Sequence, residues 1–110
     1  MATDHEAFWD DEDELLGDAF SVHPGTILKT QVLPNLGVRI AQLADAIGAA
    51  RPGFNNMING KRALTPEVAL KIEKAIGYPA SLLNRLQADY SLAVAKRQTN
   101  VEAVRELAAA

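Results

Sequence analysis

The strongest constraint on this chain is a set of intervals between Ile40 and Gly60. Ile40, Leu43, Ala44 and Ile47 stand at i, i+3, i+4 and i+7, and so share one face of a helix. Gly48 follows at once, where a helix ends at least cost in the left-handed conformation. After the link Gly48-Ala49-Ala50, Pro52 falls in the first turn of a second helix, which needs no N–H there. Phe54, Met57 and Ile58 repeat the 3,4 spacing, and Asn59-Gly60 stops the run.

Ala44 has to be small if the second helix crosses close above it, Gly48 makes the turn, and Phe54 is the plug into the centre. Two short helices joined by a tight glycine turn have the form of a helix-turn-helix. This leaves Arg51, Pro52, Asn55, Asn56 and Asn59 on the outer face of the second helix, with Lys61 and Arg62 just beyond. Amide and guanidinium groups pair bidentately with adenine and guanine edges in the major groove. Asn-rich surface helices also occur with no ligand at all. Here the apolar spacing and the polar face agree, which favours nucleic acid.

The remaining segments read as helices too, and none has the alternation of a strand. His23-Pro24-Gly25 opens a helix carrying Ile27, Leu28 and Val32 up to Pro34, with His23 as part of its cap. Asn35-Leu36-Gly37 is the turn that follows. Thr65-Pro66-Glu67 combines a hydroxyl cap, a proline at the first position and an acid near the positive helix end. Val68, Ala69, Ile72 and Ile76 supply that helix's buried face, and Gly77 ends it. A fifth helix with Leu82, Leu83, Leu86, Tyr90 and Val94 runs to about residue 97, longer than one small core needs. Thr99-x-x-Glu102 then reads as a capping box before a short helix with Val101, Val104 and Leu107. The expected fold is all-α: five helices, a short extra C-terminal helix, and an acidic N-terminal tail without order.

Charge separates the tail from the body. The chain's formal net charge is −3, yet residues 1–20 hold eight acidic side chains and no Lys or Arg. The other ninety residues hold eleven basic side chains against six acidic ones, a net of +5 that suits phosphate. Within the tail, Phe8, Trp9, Leu15, Leu16 and Phe20 are bulky anchors too few for a core, so the segment is expected to order on a basic partner. The alternatives are a tail that folds back across Arg51, Lys61 and Arg62, mimicking phosphate until a partner draws it away, and a plain solvated appendage. Three boundaries follow: tail 1–20, binding domain 21–97, and a C-terminal helix 98–110.

Other functions find little support. With no cysteine there is neither a disulfide nor a thiolate metal site, and Asp4-His5-Glu6 lacks the second cluster a metal needs. His23 has no nucleophile or second histidine for company, no carboxylate pair stands in the folded part, and Asn59-Gly60-Lys61 lacks the glycines of a phosphate loop. No enzyme activity, metal or cofactor is expected. No apolar run approaches a membrane span and the first residues are acidic, which points to the cytoplasm.

The chain resembles the Cro- and lambda-repressor-like helix-turn-helix family and, within it, the HigA-type antitoxins of bacterial toxin–antitoxin modules. The resemblance rests on His23-Pro24-Gly25-x-x-Leu28, Leu43-Ala44-x-x-Ile47-Gly48, Asn59 to Thr65, Ala69-Leu70-x-Ile72 and Leu86-Gln87-Ala88-x-Tyr90-x-Leu92, over residues 22 to 97. It implies a homodimer on a palindromic operator in double-stranded DNA, within the bacterial nucleoid. By that resemblance Arg51 and Asn56 read bases, Asn59, Lys61 and Arg62 clamp phosphates, Arg39 touches the backbone beyond, and Asn55 serves either end. The implied partner is a small basic RNase-type toxin, held through Phe8, Trp9, Leu15, Leu16 and Phe20. Dimer contacts are expected from Leu83, Leu86, Tyr90, Val104 and Leu107. The competing reading is a stand-alone repressor with no toxin.

Three departures from the family pattern stand out. Ala50 replaces the usual Ser or Thr, a lost cap of about 1 kcal/mol. Gly53 inside the first turn costs roughly another 1 kcal/mol relative to Ala. Leu82-Leu83 stands where relatives have an aromatic pair.

Overall fold

The structure, a computed structural model, describes residues 21–108. Expectations placed on residues 1–20, namely the unordered acidic tail, its anchors Phe8, Trp9, Leu15, Leu16 and Phe20, and the Asp4-His5-Glu6 trio, lie outside the described residues. Within them the chain is all-α, with five main helices and no strand.

Helix α1 covers residues 24–36 in three stretches: Pro24–Ile27, a π-helical turn Leu28–Val32, and Leu33–Leu36. The sequence places a break at Pro34, but the helix runs through it. The wider turn explains how. Leu33 N–H reaches back five residues to Leu28 O, and the ladder is loosened just where Pro34 offers no N–H and its ring would crowd the carbonyl four residues earlier. Thr30 Oγ1 donates to Thr26 O at 2.7 Å alongside.

Helix α2 (Ile40–Ala46) and helix α3 (Arg51–Ile58) form the helix-turn-helix, and α4 (Pro66–Ile76) and α5 (Ala80–Gln98) complete the body. Thr65 caps α4, its Oγ1 accepting from Val68 N–H at 3.3 Å with Pro66 in the first turn, as the sequence signals. One core draws on every helix: Leu28 and Leu33 from α1, Leu43 and Ala44 from α2, Phe54, Met57 and Ile58 from α3, Ala69 and Ile72 from α4, Ala80 and Leu83 from α5. Leu64, in the link before α4, is buried with them.

Two expectations about the C-terminal part need correction. Leu83 is fully buried in the protomer's own core, so it has no surface to offer a second chain. The residues after α5 form only a single 3-10 turn, Val101–Ala103, rather than a longer helix. Its cap is Asn100, whose Oδ1 accepts from Glu102 N–H at 3.0 Å, whereas Thr99 closes α5 with its N–H on Ala95 O. Three residues leave no room for an apolar face, and Val101, Val104 and Leu107 stay 65–82% exposed.

Candidate nucleic-acid interface

Helix α3 has one apolar side and one polar side. Phe54, Met57 and Ile58 are buried, while Arg51, Pro52, Asn55, Asn56 and Asn59 are exposed, and Lys61 and Arg62 continue that exposed run. Eight residues are too few to hold a helix in water, so contacts at both ends must fix it.

At its N-terminal end Ala50 contributes no side-chain cap. The orientation comes instead from the close of α2: Gly48 N–H donates to Asp45 O at 3.1 Å and Ala49 N–H to Ala44 O at 2.9 Å. The second bond needs Gly48 in the left-handed region, at φ +72°. The same closure recurs beyond α3, where Gly60 N–H meets Met57 O at 3.0 Å and Lys61 N–H meets Asn56 O at 2.8 Å, with Gly60 at φ +78°. Lys61 and Arg62 are thereby thrown past the helix end in a fixed direction.

Two segments far apart in the sequence, His23-Pro24-Gly25 and Gln87 to Tyr90, meet over this loop. His23 is a cap, as expected, and also a bridge. Its Nδ1 accepts from Gly25 N–H at 2.9 Å, and Nε2 lies 2.9 Å from Arg62 O. With Nδ1 accepting, the proton sits on Nε2 and donates to that carbonyl. The ring stands edge-to-face with Tyr90 at 5.1 Å between centroids, and burial pushes the His23 pKa below its ordinary value, outweighing the bond to Arg62 O. Gln87 of α5 accepts from Leu64 N–H at 2.8 Å and donates to Ser91. Beneath, Gly25 packs so closely on the end of α3 that a Cβ would run into the carbonyls of Met57 and Ile58. The open cleft left between loop and α5, about 300 Å³, is lined by His23, Lys61, Arg62, Gln87 and Tyr90 among others.

Two of the polar residues expected from the sequence are held by side chains on other elements, and a third packs across a glycine. Arg51 forms a two-pronged ion pair with Asp45 of α2, with Nε on Oδ1 at 3.2 Å and Nη2 on Oδ2 at 2.7 Å. Arg51's hydrogen bond holds the Asp45 carboxyl below its usual value, and Asp45 holds the guanidinium above its own. Asn59 Oδ1 accepts from Lys29 Nζ of α1 at 2.9 Å, which leaves the amide NH₂ free to donate outward. Arg62 lies across Gly53, where a Cβ would stand 2.9 Å from Nη1. Gly53 therefore makes room for a side chain, which neither its helix propensity nor its place in the turn reveals. Arg39 is exposed at the cap of α2, its N–H on Gln42 Oε1 at 2.8 Å. Asp45, Lys29 and Gln87 are the functional candidates missed in the sequence. Their partners lie 6, 30 and 23 residues away, beyond any local pattern.

A sequence profile described as helix-turn-helix matches residues 28–83, just over half the chain. The chain belongs to the helix-turn-helix family, in its XRE-type form. Virulence-associated protein A of Dichelobacter nodosus is 42% identical over 71 residues, covering 64% of this chain and 70% of that protein. Among solved structures, the antitoxin GraA is 28% identical with a TM-score of 0.71, over 79% of this chain and 97% of its own. The Pseudomonas aeruginosa antitoxin HigA, solved with the higBA promoter, is 26% identical with a TM-score of 0.70, over 80% and 96%. In this helix-turn-helix protein, no helix among the described residues is long and apolar enough to cross a membrane, and no group of metal-ligating side chains occurs among them.

Proposed function

We propose that this protein is a homodimeric, sequence-specific DNA-binding antitoxin that represses its own operon and neutralises a small basic RNase-type toxin. The observation that carries the proposal is the exposed polar face of α3, clamped at both ends by closures at Gly48 and Gly60. Arg51 and Asn56 face base edges in the major groove, with Asn55 between base and phosphate. Asn59, Lys61 and Arg62 grip phosphates beyond it, and Arg39 takes the backbone on the other side. The antitoxins GraA and HigA, alike in fold over four-fifths of this chain, support the reading, the second by its promoter DNA.

One helix-turn-helix buries too little surface for tight specific binding, so two protomers act together, with recognition helices about 34 Å apart. Helix α5 supplies the contact through exposed Leu92, half-exposed Leu82 and the partly buried Leu86 and Tyr90, with Val104 and Leu107 alongside. Residues 1–20, rich in carboxylates and carrying Phe8, Trp9, Leu15, Leu16 and Phe20, take the toxin. Residues 21–97 carry the DNA site and 98–110 assist the dimer.

Two measurements test this. Asn56→Ala weakens operator binding by about 1–3 kcal/mol and relaxes preference at one base pair, whereas Lys61→Ala weakens every duplex alike and flattens the salt dependence. If both variants bind all duplexes as the parent does, the face is wrongly assigned. A chain beginning at Ser21 loses the toxin and keeps its operator affinity. Where no basic partner binds even the full chain, a repressor without a toxin is the surviving reading.

A further inference from the structure

Asp45 is an awkward residue where it stands. It lies in the last turn of α2, at the helix end where a negative charge is disfavoured, and beside a face that meets polyanions. Its pair with Arg51 is surface-exposed, at 58% and 61%, and an exposed ion pair adds little to folding. Stability does not account for the residue.

The geometry of the pair does suggest a use. A guanidinium has two edges suited to paired hydrogen bonds. One, formed by Nε and Nη2, is filled by the two Asp45 oxygens. The other, formed by Nη1 and the second proton of Nη2, points away from the side chain's own stem. That edge fits O6 and N7 of guanine side by side. A carboxylate behind the guanidinium thus fixes its plane at the start of the recognition helix. It also offsets the charge that would let Arg51 settle on any phosphate.

We propose that Asp45 is a positioning residue that confines Arg51 to reading a guanine in each half-site and disfavours duplexes that lack one. This rests on the DNA-binding reading of α3 and deepens it. Without Asp45, Arg51 becomes a free cation that gains affinity for all DNA and loses discrimination.

The test selects duplexes from a randomised pool with the full-length parent. Affinities for the selected site, for versions altered at each guanine, and for an unrelated duplex are then compared across Asp45→Ala, Asp45→Asn and Arg51→Ala. The parent is expected to lose about tenfold or more when one guanine per half-site is replaced, a loss of at least about 1.4 kcal/mol. The Asp45 variants should lose only about threefold there, while binding the unrelated duplex several-fold tighter with a salt slope steeper by about 1. Arg51→Ala should lose the guanine preference without that gain. Discrimination as sharp in Asp45→Ala as in the parent overturns the proposal, as does a selected site with no Arg51-dependent guanine. If Asp45→Ala instead lowers the melting temperature and weakens all duplexes in equal ratio, Asp45 is a staple for the turn and the proposal is wrong. A parent that selects no consensus at all overturns the DNA-binding reading, and this inference with it.

Discussion

Helices α3 and α5 solve opposite problems. Helix α3 has eight residues and buries three large ones, and both its ends are tied to other elements. Helix α5 has nineteen residues, about 28 Å at 1.5 Å each, and buries Ala80, Leu83 and Ala93. Over that length it leaves Leu82 and Leu92 40% and 57% exposed. The short helix is rigid because everything around it holds it, so its polar side chains keep their aim. The long helix joins the core near its start, and farther along Gln87 and Tyr90 hold the loop after α3 while Leu92 stays on the surface. Rigidity here comes from tertiary clamps and not from helix length.

The contrast breaks most sharply at Phe54. Phe54→Ala removes the plug beneath α3 and should cost about 3–5 kcal/mol, read as a fall in the denaturant midpoint. For a body this size such a loss takes much of the total stability. Gly25→Ala attacks the clamp from below: its Cβ meets backbone carbonyls that cannot swing aside, and a loss of about 2–3 kcal/mol is expected.

Acid should loosen the clamp next. The His23 bridge requires neutral imidazole, and burial sets its folded pKa below the ordinary 6.5. As pH falls the unfolded chain therefore takes up the proton first. Stability from this group is whole above about pH 6.5 and declines below it until the folded pKa is passed. The slope is at most about 1.4 kcal/mol per pH unit, the value for one proton. Urea titrations at several pH values should show it in the parent and not in His23→Gln.

Gly53→Ala has a smaller effect of opposite sign. Among the described residues the one obstacle to the new methyl is the far end of Arg62, so helix propensity prevails and stability should rise by about 0.5–1 kcal/mol, while the displaced guanidinium should weaken DNA binding. Smallest of all is Leu92→Gln in α5. Protomer unfolding should move by under about 0.5 kcal/mol, whereas sedimentation should show a weaker dimer. Equal destabilisation by Leu92→Gln and Phe54→Ala would erase the distinction between the two helices.

What could be read in the sequence follows the range of each interaction. Gly48, Gly60, Thr65-Pro66 and Gly77 act within a turn of themselves, and each ends or starts a helix where expected. The exposed run from Arg51 to Arg62 follows from helical periodicity, so it too was visible. Other features depend on neighbours far along the chain or on packing. Pro34 reads locally as a stop, but a π-helical turn absorbs it. Leu82 and Leu83 are equally apolar, and only the docking of α5 decides that Leu83 goes inside. Lys29 and Gln87 are ordinary surface residues until the fold brings Asn59 and the Leu64 N–H to them.

The division of α3 into a buried side and an exposed side has a consequence for evolution. Selection on folding falls on Phe54, Met57 and Ile58, while changes at Asn55, Asn56 or Asn59 alter no core contact and leave stability within about 0.5 kcal/mol. Under the proposed function, a lineage then rewrites its DNA preference one outward residue at a time, each intermediate still a folded protein.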